Sequence, residues 1–251
     1  SRLVVQTQPS ATATAGVPFA QQPVLRVEDV AGNLVTNDNG RVITAARNGG
    51  TGTLQGTLTA TTVNGVATFS DLSHNVATTI TINFTASGLA SATSSSIVVS
   101  PAAASQFVFT TQPAGLRTGS PLATQPAVAA EDAYGNTSAI GLPASLNVTL
   151  ALTSGSGSLL GGTTADIGSA AGNGSATFTN VQCSDAGTNK QITASALGFS
   201  NAVSVVFAVD GVERATGGEA IPSSTAGGAW TTLTGPVYYE YSSADVDLGT
   251  I

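Results

Sequence analysis

The chain has 251 residues, a net charge of −7 and only 8% charged residues, against about 25% in an average soluble domain. That length suits two units of roughly 100 residues, each able to bury a core without a metal or disulfide staple. Its few basic residues form no patch for nucleic acid, and no apolar run reaches the roughly 20 residues of a membrane helix.

Aromatic residues make up 5% of the chain, so aliphatic and small residues must fill the core. Ser, Thr, Asn and Gly replace charge and give a polar, nearly neutral surface. The first part of the chain, through residue 103, balances its charges, and the acidic excess builds toward the C-terminus. The sequence has no Met and shows no signal peptide at its start, as expected of a processed chain or of an excerpt.

In chain order, "TQP" at 7–9 precedes "QPVLRVEDVAGN" at 22–33. The latter reads as a strand followed by an acid and Gly-Asn at a turn. Asp29 is placed to accept backbone N–H groups across that turn, and Gly32 to adopt an unusual φ. Asn64-Gly65 marks a tight hairpin before "VATFSDL". His74, in "LSHNV", reads as a solvated loop residue. Ile80, Ile82, Phe84 and Ala86 then alternate with Thr79, Thr81, Asn83 and Thr85, the period of a half-buried strand. "VVSPAAASQFVF" at 98–109 is a short and fairly stiff link.

The same signals then return about 103 to 109 positions later. "TQP" reappears at 111–113, "QPAVAAEDAYGN" at 125–136, "NGSATFTNV" at 173–181 and "TASAL" at 193–197. Leu146, Val148, Leu150 and Leu152 alternate with polar or small partners. Asp132 and Gly135 repeat the turn of Asp29 and Gly32. Turn signals every 8–12 residues and no capped helical window predict an all-β chain. The expected architecture is two immunoglobulin-like β-sandwiches in tandem, over 1–101 and 104–209, with a strand-rich C-terminal extension at 210–251.

Other chemistry is thin. Asp29 with Asn33, and Asp132 with Asn136, offer oxygen ligands for calcium, but too few for a recognisable site. The adjacent acids Glu131 and Asp132 read as a folding element rather than a catalytic pair. The Gly-rich runs at 154–162 and 168–176 lack the lysine and helix of a phosphate loop and read as turns or mobile loops. One Cys and one His make no zinc site, and Cys183 reads as a small buried or half-buried thiol. The triplets at Asn83, Asn136, Asn147 and Asn173 would matter only in a source that glycosylates asparagine.

The strand, "EDxxGN" and later "NGxATF" followed by a strand ending "TASGL" resemble the bacterial Ig-like repeats of invasin- and intimin-type surface proteins. The resemblance covers about residues 1–209 in two copies. It implies an extracellular stalk, surface-layer or filament component with no shared catalytic residues. Some surface Ig-like domains also crosslink a lysine to an asparagine, which Lys190, the only lysine, would have to supply here.

The expectation is therefore a non-enzymatic extracellular or cell-surface structural protein, without cofactor, that assembles head to tail with copies of itself. A host-surface ligand or glycan is compatible with that role. The alternative is a carbohydrate-binding or accessory module of a secreted protein, for which Trp230, Tyr238, Tyr239 and Tyr241 would supply aromatic surface. Residues 210–251 are too short for a third sandwich. They read as strands at 229–233, 237–241 and 246–251, part of an incomplete domain or donor strands. Trp230, Tyr238, Tyr239, Tyr241 and Ile251 are thus assembly candidates.

Overall fold

The computed structural model describes residues 1–211, 213–214, 222–225, 229–232 and 238–239. Every element in them is a strand. The chain divides into two compact units: Ser1–Ser105 with Glu131–Leu142, and Gln106–Ala130 with Pro143–Ile251. The turn segment that follows the second repeat's own strand thus belongs, by its packing, to the first unit.

The first unit contains β1 (Arg2–Thr7), β2 (Thr12–Thr14), β3 (Val24–Glu28), β4 (Val42–Gly49), β5 (Leu54–Gln55) and β6 (Thr59–Thr61). It continues with β7 (Val66–Thr68), β8 (Ser73–His74), β9 (Thr79–Thr85), β10 (Ala92–Thr93) and β11 (Ile97–Ser100). One sheet has the order β1-β3-β7, and the facing sheet the order β2-β11-β9-β4-β6, with β10 beside β9. The N-terminal stretch serves both sheets: β1 pairs antiparallel with β3, and β2 then pairs parallel with β11.

Strand periodicity becomes core at β9. Ile80, Ile82 and Phe84 are almost completely buried, while Thr79 and Thr85 on the other face are exposed. They share a core with Leu25, Ile43 and Ile97 from other strands and with Leu72 from the loop before β8, and Phe69 lies 5.5 Å from Phe84, ring to ring. Each such side chain contributes about 1.5–3 kcal/mol on burial. The Asn64-Gly65 turn forms as its residues require, with φ of 50° and 79°. A Cβ on Gly65 would stand 2.4 Å from the Val35 carbonyl oxygen, so a side chain is excluded there.

The second unit repeats the plan with β12 (Gln106–Thr111), β13 (Ala127–Glu131), β14 (Asn147–Ser154), β15 (Leu159–Leu160) and β16 (Thr164–Asp166). Next come β17 (Ser175–Thr177), β18 (Gln182–Cys183), β19 (Gly187–Ser195), β20 (Ala202–Val203) and β21 (Phe207–Val209). The sheets β12-β13-β17 and β16-β14-β19-β20, with β21 also on β19, follow the first unit's order, except that the place of β2 is held by a single parallel bridge between Arg117 and Asp210. Val148, Leu150, Ile167, Phe178 and Ile192 form the buried interior.

Two sequence expectations change. His74 is not solvated: it is fully buried as the second residue of β8. A strand only two residues long, paired to β5, has no alternation for periodicity to reveal. The Gly-rich run 154–162 is more than turns, because Leu159 and Leu160 pair with β18. Lys190 occupies the inward position of β19 that Ile80 holds on β9, and it too is fully buried.

Beyond residue 211, β22 (Glu213–Arg214) pairs with β25 (Tyr238–Tyr239), and β23 (Pro222–Thr225) with β24 (Ala229–Thr232). Trp230, Tyr238 and Tyr239 lie on these short strands. Tyr241, Ile251 and the run expected at 246–251 fall outside the described residues.

Candidate functional site

The feature with the most definite geometry is the acidic turn, built twice. In the first repeat, Asp29 Oδ1 accepts the N–H groups of Ala31 and Asn33, each at 2.9 Å. Asn33 Nδ2 donates to Asp29 Oδ2 at 3.1 Å, and the Asp29 N–H donates to the Asn33 carbonyl at 2.9 Å. In the second repeat, Asp132 Oδ1 accepts from the N–H groups of Tyr134 and Asn136 at 2.8 and 3.0 Å. Asn136 Nδ2 donates to Asp132 Oδ2 at 2.8 Å. Gly32 and Gly135 stand at φ of 88° and 82°, where a residue with a Cβ is strained.

The surroundings of the two turns differ. Asp29 is partly exposed, and Val30, Ala31, Gly32 and Asn33 are open to solvent. Asp132 is fully buried. Its Oδ2 also accepts the N–H of Ala102 at 2.8 Å. Asn136 uses both ends of its amide on the loop after β8: Oδ1 accepts the Ala77 N–H at 2.7 Å, and Nδ2 donates to the Asn75 carbonyl at 2.8 Å. Ser138 Oγ donates to the Ala102 carbonyl at 2.6 Å. The Tyr134 ring covers Gly16, where a Cβ would stand 1.9 Å from the phenol oxygen. The same turn is thus a free hairpin in one repeat and a fastener in the other.

Electrostatics follow these bonds. Burial acts to raise the Asp132 carboxyl, yet hydrogen bonds from the Asn136 side chain and from the N–H groups of Asn136, Ala102 and Tyr134 hold it below its ordinary value. The Asn33 N–H and side chain do most to lower Asp29. Next to that turn, Glu28 is lowered chiefly by a hydrogen bond from Arg2 at 2.8 Å, and it also pairs with Arg26.

Of the four calcium candidates, Asp29 and Asp132 spend their carboxylate oxygens on turn bonds, Asn136 Oδ1 accepts the Ala77 N–H, and Asn33 is tied to the turn through its Nδ2. Among the described residues no three His, Cys, Asp or Glu side chains gather as a metal site would require. The Asn136 amide is occupied by main-chain partners, so a glycan there would cost the fastener. His74 Nε2 lies 2.9 Å from the Thr51 carbonyl, while Nδ1 has no partner. Lys190 Nζ donates to the Ser156 carbonyl. Burial raises the Cys183 thiol, opposed by the charge of Lys190. These are core groups without access to a substrate. Sequence reasoning found the turn residues but missed Tyr134 and the acceptor loop Asn75–Ala77. A tyrosine where the first repeat has Ala31 was the available signal.

No protein-family model matches the chain, and no curated protein matches it. Among solved structures it is similar to the D0-D1 domain of intimin, at 13% identity over 83% of this chain and 97% of that one, with a TM-score of 0.30. The Yersinia pseudotuberculosis adhesin InvE is 16% identical over 83% of this chain and 58% of that one, with a TM-score of 0.34. Yersinia pseudotuberculosis InvD is 15% identical over 91% and 65%, with a TM-score of 0.31. Likeness at this level bears on no ligand or activity. The class the strands define is an all-β chain of immunoglobulin-like sandwiches.

Proposed function

We propose that this chain is a non-enzymatic extracellular structural protein, a stalk or subunit of a surface filament, surface layer or adhesin, assembling through contacts between copies. The observation that carries the reading is the Asp132–Asn136 turn. A segment coded within the second repeat is built into the first unit by four hydrogen bonds to or from its main chain, at Asn75, Ala77 and Ala102. Main-chain partners make such a fastener indifferent to side-chain sequence, so it can recur from repeat to repeat. The nearly uncharged, Thr- and Ser-rich strand faces and the spending of polar side chains on turns suit a spacer. Catalysis would require reactive groups at an open cleft.

The test is immunogold labelling of intact, unpermeabilised source cells with an antibody against the chain. Label on surface fibres, lattices or projections is expected. Label that appears only after permeabilisation would overturn the reading.

A further inference from the structure

Each repeat carries a turn and a loop of the same kind; one turn meets one loop, and the other turn and the other loop are exposed. The acceptor loop of the first repeat, which follows β8, leaves Asn75, Val76 and Ala77 half-buried under the Asp132 turn. The matching loop of the second repeat follows β18, and there Ser184, Asp185 and Ala186 are all exposed. This loop holds one residue more between Cys183 and Lys190 than the first repeat holds between His74 and Ile80. The Ala186 N–H makes no hydrogen bond among the described residues.

Gly119 corresponds to Gly16: its N–H donates to the Cys183 carbonyl at 3.1 Å, as that of Gly16 does to His74 at 3.0 Å. Where Tyr134 covers Gly16, nothing lies within 4 Å of a Cβ placed on Gly119. At the other end, the Asp29–Asn33 turn has the internal bonds of the Asp132 turn, yet Asn33 Oδ1 has no partner among the described residues and Val30 is 98% exposed.

We infer that the Asp29–Asn33 turn of one copy docks on the Ser184–Ala186 loop of a second copy, head to tail. Asn33 then acts as Asn136 does: Oδ1 accepts the Ala186 N–H and Nδ2 donates to the Ser184 carbonyl. The occupant is a second copy because this chain carries both the unused turn and the unused loop, and because the bonded pair is already built from the same two motifs. Ala31 stands where the fastened repeat has Tyr134, so the contact between copies lacks the ring over glycine and is the weaker of the two. A head-to-tail contact that does not close on itself propagates a fibre. The inference rests on the structural role proposed above and adds to it the surfaces that meet.

The experiment mixes two full-length single variants, Asn33→Cys and Ala186→Cys, with a short bismaleimide crosslinker. Cys183 stays in place, since it is buried, and wild type serves as the blank. The mixed pair is expected to give several-fold more dimer than Ala186→Cys mixed with Val63→Cys, whose position is also exposed, at 65%. Sedimentation of Asn33→Ala should show self-association weakened about tenfold from wild type, the loss of two main-chain hydrogen bonds. No excess of the mixed dimer overturns the inference. If wild type still self-associates in that case, copies meet elsewhere and the structural reading stands; surface labelling judges that reading separately.

Discussion

Replacing Asp132 with alanine removes a carboxylate that receives four N–H donors, from Tyr134, Asn136 (backbone and side chain) and Ala102, at 2.8–3.0 Å. Hydrogen bonds to a charged group contribute about 1.5–3 kcal/mol each and are not additive. The turn donors partly regain water after the change, whereas the Ala102 N–H and the Asn136 amide lose a partner in a half-buried setting. A net loss of about 3 kcal/mol follows, which in a unit of roughly 100 residues lowers Tm on the order of 15 °C. Asp29→Ala deletes the same internal turn bonds, but in solvent and without a counterpart to Ala102, so its effect should be a small fraction of this. Calorimetry and far-ultraviolet circular dichroism on the full chain would separate the unfolding transitions of the two units. Equal shifts for the two variants would refute the assignment of the Asp132 turn as a fastener.

Acid should destabilise the protein through its carboxylates. Glu28, Asp29, Asp132 and Asp166 are all held below their ordinary values in the fold, so their stabilisation is present above the unfolded values and is lost as pH falls through the folded ones. Tm should therefore hold down to about pH 4.5 and decline below it, with a shallower decline in Asp132→Asn; a Tm independent of pH below that point would contradict this. Lys190→Ile, which restores the residue type of Ile80, should leave stability unchanged or raise it by about 1 kcal/mol, because a buried charge is exchanged for an apolar side chain. Lys190→Ala should cost about 2 kcal/mol by opening a cavity, and urea unfolding of the second unit reads both. On a glycan array neither wild type nor Trp230→Ala is expected to bind; binding by wild type that the substitution abolishes would favour a carbohydrate-binding module.

The architecture was legible where a residue's own neighbours in sequence decide its environment. Alternation at Ile80–Phe84 and at Val148–Leu150 announced strands with one buried face, and Asn64-Gly65 announced a turn that only such residues tolerate. The repeat doubled each of these signals. What stayed hidden depended on partners far away in the chain. Asp29 and Asp132 sit in nearly the same local string and make the same turn, yet one is open and the other buried, because only one has Asn75, Ala77 and Ala102 against it. His74 reads as a solvated residue, and its burial comes from β5, while nothing local announces that Lys190 is buried with the Ser156 carbonyl as its acceptor. The pairing of β24 with β23 was equally hidden, since "IPSST" carries no strand period.

Amide hydrogen exchange resolved at Ala77 and Ala186, followed as a function of protein concentration, tests most directly whether the turn-and-loop contact made within the first unit is also made between copies. Ala77 should be protected at every concentration by Asn136, and Ala186 should exchange freely when dilute and gain protection as the protein is concentrated. Asn33→Ala should abolish that gain and leave Ala77 unchanged. An Ala186 amide that exchanges at the same rate at all concentrations, or an unprotected Ala77, would contradict the account.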